Sequence, residues 1–168
     1  MADFTPAFEA MILDEGGYKL ETVPGDKGGQ TYAGIARNSW PNWHGWAAID
    51  AGGRPEAQEV RDFYRANFWS PMRLDEVQDQ HVARSILGNA VNCGVSTAAK
   101  LVQLCVGCTP DGKVGNVTLQ AINSTDPQLL LTKYTLAKVA RYRDIVNRDR
   151  SQAKFLLGWI NRAFKEAA

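Results

Sequence analysis

Glu15 is the acidic residue whose position best suits acid catalysis. The sequence predicts a helix over about residues 6–15, ended by Gly16-Gly17. At about 100° per residue, Glu15 falls at about 60° on the helical wheel, whereas Asp14 and Glu9 fall at about 320° and about 180°. The face around Glu15 carries an apolar stripe of Phe4, Phe8, Met11 and Ile12. Of the three acids, only Glu15 points where these apolar side chains point.

A carboxyl group on an apolar face is suited to proton donation. It loses hydration, which disfavours its charged form and raises its pKa, and the negative end of the helix dipole acts in the same direction. A carboxylic acid that keeps its proton near neutral pH can protonate the leaving oxygen of a glycosidic bond. Periodicity alone leaves a structural role open, because a Glu at a helix end often reaches solvent or a backbone amide. The glycines favour catalysis, since they lead the chain away without covering the carboxyl group.

A glycosidase also needs a second group that activates water or stabilises the oxocarbenium-like transition state. We expect Asp26, in the turn-rich segment Pro24–Gly29, to supply it, with Glu21 as the second choice. The hydroxyl of Thr31 is suited to hold a water molecule. A role for Asp26 as a turn-forming residue alone stays open. Inverting and retaining mechanisms both stay open, because sequence does not give the separation of the carboxyl groups.

The spacing of apolar residues predicts an all-α fold class. Three- and four-residue spacing dominates after residue 50, and Lys19–Asn38 reads as a small irregular loop or hairpin. Cys93-Gly94-Val95 marks a seam between a lobe of residues 1–93 and a lobe of residues 94–168, which we expect to pack as one compact unit. Further helices are predicted at about these ranges: Glu56–Phe68, Gln80–Asn92, Ser96–Val106, Val117–Ile122, Pro127–Val146 and Ser151–Phe164.

The composition is that of an ordinary soluble domain. The chain has 168 residues, 45% of them hydrophobic and 22% charged. It shows neither a Sec-type signal peptide nor a long apolar run, so we expect cytoplasmic synthesis and no stable membrane insertion. Gly28-Gly29 is not followed by G-K-[ST], which argues against nucleotide binding. We expect no nucleic-acid partner.

The cysteines and the basic residues are unevenly placed. Three cysteines are odd in number, and the pair Cys105 and Cys108 lacks a second pair or a nearby His, so no disulfide framework and no metal site are expected. The segment from Lys133 to Ala168 carries nine Lys and Arg against three Asp and Glu. This excess suits attraction to an anionic polymer, although a solvated basic helix face with no partner is an equal alternative.

Aromatic residues in the middle of the chain suggest two alternatives. Trp40, Trp43, Trp46, Tyr32 and Tyr64 have faces suited to stack on sugar rings, but core packing is the favoured interpretation for most of them.

Several motifs together resemble glycoside hydrolase family 108. The N-terminal ones are Glu15-Gly16-Gly17-Tyr18, Asp26-Lys27-Gly28-Gly29-Gln30-Thr31 and Gly34-Ile35. Members of this family are lysozyme-like muramidases of phages and prophages, and the Glu of the first motif is regarded there as the catalytic acid. The resemblance therefore implies that role for Glu15. The chain departs from the family pattern at three positions, with Lys27 for Pro, Gln30 for Ala and Tyr32 for Asn.

The second half resembles the peptidoglycan-binding region that accompanies the family's catalytic part. The matching motifs are Ala90-Val91-Asn92-Cys93-Gly94, Asp111-Gly112-Lys113-Val114-Gly115 and Phe155-Leu156-Leu157-Gly158-Trp159-Ile160-Asn161-Arg162.

The resemblance implies a predominantly α-helical, lysozyme-like endolysin. It would hydrolyse the β-1,4 bond between N-acetylmuramic acid and N-acetylglucosamine with Glu15, Asp26 and Thr31, and without a metal or organic cofactor. Substrate contacts are expected from Tyr18, Gln30, Tyr32, Tyr64 and Asn92. We expect a monomer that binds peptidoglycan strands and reaches the periplasm through a holin. Two alternatives stay open: a lytic transglycosylase that forms anhydro-muramic ends, and a non-catalytic wall-binding phage protein.

Overall fold

The structure is a computed structural model that describes residues 1–14, 16–22 and 29–166. The predicted catalytic residues Glu15 and Asp26 lie outside the described residues. The described part of the chain contains eight α-helices and one small sheet. The helices are α1 (Phe4–Asp14), α2 (Gly45–Asp50), α3 (Ala57–Tyr64), α4 (Gln80–Cys93), α5 (Val95–Cys105), α6 (Asn116–Ser124), α7 (Pro127–Arg148) and α8 (Leu156–Lys165).

The sheet follows the first helix, as predicted. Its strands are β1 (Leu20–Thr22), β2 (Gln30–Tyr32) and β3 (Ile35–Ala36), antiparallel in the order β1-β2-β3. The prediction of a mostly α-helical, lysozyme-like fold with a small hairpin after the first helix is confirmed. None of the helices in the described ranges is long and apolar enough to cross a membrane.

Three helical segments of the described chain differ from the sequence prediction. The segment predicted over Ser151–Phe164 begins as a 3-10 helix over Arg150–Phe155 and is α-helical only over Leu156–Lys165. The segment predicted over Glu56–Phe68 is α-helical only over Ala57–Tyr64 and continues as a π-helix over Arg65–Trp69. Helix α2 was not predicted, because it has six residues, begins at Gly45 and lacks a side-chain cap. Burial of Trp46, which is 3% exposed, accounts for a helix that local signals leave unmarked.

The chain divides into two compact units, and the first comprises Phe4–Asn67. Here α1 contacts α3 through the rings of Phe8 and Tyr64, whose centroids are 5.8 Å apart, and through an ion pair of Glu9 and Arg61 at 3.1 Å. The predicted apolar stripe of α1 is buried. Its four members, Phe4, Phe8, Met11 and Ile12, are between 0% and 6% exposed.

The second unit comprises Met1–Asp3 and the chain from Phe68 onward. Helices α4, α5 and α7 pack on one another, and α8 packs on α7. The hydroxyl of Tyr134 on α7 accepts a hydrogen bond from Asn89 of α4 at 2.7 Å and donates one to the carbonyl of Ala98 on α5 at 3.2 Å. These bonds tie the three helices together inside an apolar core.

Two buried polar side chains organise the second unit further. The Gln103 amide is 2% exposed, and its nitrogen donates to Asp111 at 2.7 Å, while its oxygen accepts from the backbone of Gly112 at 2.9 Å. This amide therefore fixes the loop between α5 and α6. Lys138, which is 0% exposed, donates to Ser85 at 2.9 Å and to Glu166 at 2.6 Å.

Candidate functional site

The end of helix α1 is an abrupt turn made by two glycines. Gly16 and Gly17 have positive φ angles of 87° and 77°, a conformation that side chains rarely adopt. The amide of Gly17 donates to the carbonyl of Ile12 at 2.8 Å, which closes the last turn of the helix. A Cβ atom at either glycine would have no neighbour within 4 Å. The two-residue turn that follows α1 is therefore open around both glycines.

The sheet brings Thr31 opposite an acidic residue. In the antiparallel register Glu21 pairs with Thr31, and Leu20 pairs with Tyr32. Directly paired residues have Cβ atoms about 5 Å apart on the same face. Glu21, the second choice for a catalytic carboxylate, is therefore a neighbour of Thr31. Because side chains alternate along a strand, Tyr32 points to the opposite face.

The turn after Thr31 is held by Tyr64. Ala33 and Gly34 join β2 to β3 with φ angles of 49° and 79°, the two positive values of a type I′ turn. The Tyr64 hydroxyl donates to the Ala33 carbonyl at 2.8 Å, and the Ala33 amide donates to the carbonyl of Lys19 at 3.0 Å. The Tyr64 side chain is 1% exposed, so its ring offers no face to a sugar. The structure gives Tyr64 a part in positioning the hairpin.

An open cleft of about 500 Å³ lies beside the hairpin. We call it the hairpin cleft, and the residues that line it include Tyr18, Leu20, Glu21, Tyr32, Ile49 and Arg54. It unites Tyr18 and Tyr32, two of the predicted substrate contacts. Tyr18 is exposed, whereas the Tyr32 ring is 3% exposed and stacks on Trp43 with a centroid distance of 6.1 Å.

The hairpin cleft is lined by two cations, Lys19 and Arg54, and by the carboxylate of Glu21. Burial raises the pKa of the Tyr32 hydroxyl, the positive charge of Arg54 opposes this rise, and Tyr18 adds to it. Tyr32 is therefore a neutral hydroxyl group at working pH, able to donate or accept a hydrogen bond. Sequence reasoning missed Arg54, because it lies in a Gly- and Pro-rich loop that periodicity does not place in space.

Gln30 belongs to a polar bridge between the sheet and α2. Its side-chain oxygen accepts from Arg37 at 2.8 Å, and Arg37 binds both carboxylate oxygens of Asp50 at 2.7 and 2.6 Å. The hydrogen bond from Arg37 lowers the pKa of Asp50. The oxygen of Gln30 is thus engaged within the protein, whereas its amide nitrogen has no hydrogen-bond partner among the described residues.

Asn92 lies on α4, in the second compact unit. Its nitrogen donates to the carbonyl of Gly88 at 2.8 Å, and its oxygen accepts from Arg162. A contact of Asn92 with an N-acetyl group stays a prediction. Among the described residues, no three His, Cys, Asp or Glu side chains are grouped so that they could hold a metal ion.

Comparisons with known proteins give two family matches and several similar solved structures. The family described as Glycosyl hydrolase 108 matches residues 8–94, and the family described as Predicted Peptidoglycan domain matches residues 97–164. The solved structure of Brucella abortus SagA is similar over 98% of this chain and 91% of its own, with 24% sequence identity and a TM-score of 0.74. No curated protein sequence matches significantly.

Proposed function

The chain belongs to the glycosyl hydrolase 108 family, and we propose that it hydrolyses the β-1,4 bond between N-acetylmuramic acid and N-acetylglucosamine with Glu15 as general acid. The two family matches indicate a glycoside hydrolase that acts on peptidoglycan. Those matches also confirm the family resemblance drawn from the Glu15-to-Tyr18 motif and its companions.

The proposal rests above all on the surroundings of Glu15 in the chain. The apolar stripe that shares its predicted helix face is buried, from Phe4 to Ile12. Leu13, on the other side of α1, is 75% exposed. The chain then turns away at Gly16 into open space. On the predicted helical wheel the position of Glu15 continues this face, and a carboxyl group there would combine loss of hydration with access for a substrate.

The partner of Glu15 is proposed to act from the hairpin. Asp26 belongs to the connection between β1 and β2, and Thr31 stands on β2 opposite Glu21. Asp26 stays the first choice for the second carboxylate and Glu21 the second. In the proposed reaction Glu15 protonates the oxygen that leaves C1 of N-acetylmuramic acid, while the second carboxylate and Thr31 position water or stabilise the cation.

Substrate contacts are proposed for the hairpin cleft. Tyr18 is exposed there, and aromatic rings bind the apolar faces of sugars. Arg54 adds a cation suited to the lactyl or peptide carboxylates of the wall polymer. We propose that residues 1–93 form the catalytic lobe and residues 94–168 the wall-binding lobe, a division supported by family matches that end at residue 94 and begin at residue 97.

The biological setting is proposed to be host lysis by a monomeric endolysin. Synthesis in the host cytoplasm and passage to the periplasm through a holin fit this role. A test is to express the protein with and without a pore-forming partner and to follow lysis, which is expected only when both are present.

The experiment on Glu15 compares three proteins on suspensions of purified cell walls. Glu15→Gln is expected to lower the clearing rate by about 100-fold or more, the usual contribution of a general acid. Glu9→Gln is the matched control, because it removes an exposed carboxylate from the same helix and is expected to keep activity. Equal clearing by Glu15→Gln and wild type would remove Glu15 from catalysis.

Product analysis separates the remaining alternatives. Mass spectrometry of digested walls is expected to show reducing muramic ends, and anhydro-muramic ends alone would assign a lytic transglycosylase. Wall binding without clearing by any variant would assign a non-catalytic binding protein. Asp26→Asn and Glu21→Gln compared side by side identify the second carboxylate as the one whose loss stops clearing.

A further inference from the structure

The first compact unit holds a second pocket of about 510 Å³, formed by residues 39–67. We call it the tryptophan pocket, and the residues that line it include Trp40, Trp43, Phe63, Glu59, Asp62 and Asn67. Trp40 and Trp43 were considered for sugar stacking from the sequence, and the other lining residues named here were not predicted to contact a ligand. Its volume lies within the range of pockets that bind small ligands.

The aromatic walls of the tryptophan pocket meet at steep angles. The Trp40 and Phe63 rings are perpendicular, at 89° with centroids 4.9 Å apart, and Trp43 and Phe63 meet at 61° and 6.0 Å. The Trp43 ring packs directly on Gly45, where a Cβ atom would lie 2.3 Å from the ring, so this packing requires glycine. Rings arranged in this way present more than one π face to a ligand in the corner between them.

The part of the pocket formed by α3 and the π-helix after it carries three hydrogen-bond acceptor groups, and Ser39, Asn42 and His44 add polar groups to the rest of the lining. One oxygen of Glu59 accepts from the backbone of Glu56 at 2.9 Å, and one oxygen of Asp62 accepts from Gln58 at 2.8 Å. The nitrogen of Asn67 is engaged with a backbone carbonyl at 2.8 Å. The second oxygen of each carboxylate and the Asn67 oxygen have no hydrogen-bond partner within the described ranges. All three atoms accept, and none donates.

The charge of the lining completes the pattern. Among the described residues, the lining contains these two carboxylates, one histidine (His44) and no Lys or Arg. A site that combines aromatic faces, two negative charges and unsatisfied acceptors favours a cation that also donates hydrogen bonds. It disfavours an anionic sugar or a carboxylate.

We propose that the tryptophan pocket binds an alkylammonium group, of the kind carried by the diamino acid in the peptide stems of peptidoglycan. This identification of the occupant rests on the proposed function. The ammonium sits against the Trp40 and Trp43 faces and is paired with Glu59 and Asp62. The pocket thereby selects wall strands by their uncrosslinked peptide amines, which adds a contact outside the glycan.

The first experiment measures binding of a small amine to the whole protein. The probe is Nα-acetyl-lysine methylamide, and its Nε-acetylated form and N-acetylglucosamine trimer are the comparison ligands. Indole signals of Trp40 and Trp43 are followed by NMR. The free amine is expected to shift both signals, whereas the acetylated probe is expected to bind at least about tenfold more weakly, because it lacks the charge.

Variants then test the carboxylates without disturbing the fold. In Asp62→Asn and Glu59→Gln the new amide oxygen still accepts the existing hydrogen bond while the charge is lost. Each is expected to weaken amine binding by about three- to fivefold at low salt. Asp144→Asn is the control, since it removes an exposed carboxylate from the other unit and is expected to leave binding unchanged.

The wall assay connects the pocket to activity. Asp62→Asn is expected to raise KM on native walls with unchanged kcat, and to match wild type on walls whose amines have been acetylated. Wild type that clears walls but does not bind the amine overturns the pocket proposal alone. Tight binding of the sugar trimer, insensitive to both carboxylate variants, also overturns it and makes the pocket a sugar subsite. Amine binding without wall clearing instead refutes the proposed function.

Discussion

Replacing Glu166 by glutamine removes the counter-charge of a lysine that has no contact with solvent. The ammonium of Lys138 is 2.6 Å from the Glu166 carboxylate and 2.9 Å from the Ser85 hydroxyl, and it lies 4.7 Å from the centre of the Tyr134 ring. Burial lowers the pKa of Lys138, and Glu166 opposes that change. In Glu166→Gln the burial effect is no longer opposed, so the pKa falls further.

The magnitude follows from two limits. Removing one partner of a buried ion pair costs about 3–5 kcal/mol. The cost at pH 7 has an upper limit, because the lysine can lose its proton instead of staying charged. Deprotonating a lysine at a pH about three and a half units below its unfolded-state pKa costs about 5 kcal/mol. Ser85 and the Tyr134 ring still contact the amine. We therefore expect Glu166→Gln to lower the free energy of unfolding by about 3 kcal/mol at neutral pH.

The stability lost in Glu166→Gln is expected to depend on pH. The folded-state pKa of Lys138 lies below its unfolded value, so between these two values the unfolded state binds more protons and stability rises with pH. In Glu166→Gln this window begins at a lower pH. The stability difference between wild type and Glu166→Gln is therefore expected to shrink as the pH rises from about 7 toward about 10.

The assay is equilibrium unfolding in urea, followed by circular dichroism at several pH values. The double variant Lys138→Met/Glu166→Gln is the control, because it removes both charges and is expected to recover most of the lost stability. A Glu166→Gln loss below about 1 kcal/mol that does not change with pH would refute the reasoning.

Three further predictions concern the hairpin, the tryptophan pocket and the thiols. Tyr64→Phe loses the hydrogen bond to the Ala33 carbonyl, so it is expected to lower the free energy of unfolding by about 1–2 kcal/mol and to slow wall clearing. A variant that unfolds at the same urea concentration as wild type would contradict this prediction. Gly45→Ala forces the Trp43 ring to move and is expected to cost about 1–3 kcal/mol and change the near-ultraviolet circular dichroism, whereas an unchanged spectrum would argue against that packing. Burial raises the pKa of Cys105 to about 11. Its alkylation by iodoacetamide, followed by mass spectrometry, is therefore expected to be about 100-fold slower at about pH 8 than that of an ordinary thiol. The rate is expected to rise about tenfold per pH unit until about pH 11. A rate that levels off near pH 9 would contradict the raised pKa of Cys105.

The spacing of apolar residues predicted the helices that bury one face. The stripe on α1 repeats at three- and four-residue spacing, and the structure buries all four of its members. The glycine and proline signals likewise placed a hairpin after α1. Helix α2 lacked such a signal, because a helix of six residues is too short to show a repeating spacing of apolar residues.

Side-chain partners far apart in sequence could not be predicted. The ring of Tyr64 had an interpretation as a sugar platform, yet its hydroxyl reaches a carbonyl 31 residues earlier in the chain. Lys138 lies in a basic segment for which a solvated helix face was one of two equal interpretations, and it is fully buried. In both cases the missing information is the packing of one helix on another element, which a local pattern does not contain.

The amide of Gln103 also has a consequence for how the protein ages. Hydrolysis of that amide to a carboxylate would remove its donor and place a second negative charge 2.7 Å from the oxygen of Asp111. The loop that contains Gly112 would then lose the hydrogen bonds that this donor gives to Asp111 and to the carbonyl of Lys113. Gln103 is 2% exposed, so the burial that makes its amide indispensable also keeps water away from it. In stored protein, deamidation is therefore expected first at exposed amides, and a lost Gln103 amide marks molecules that had already opened.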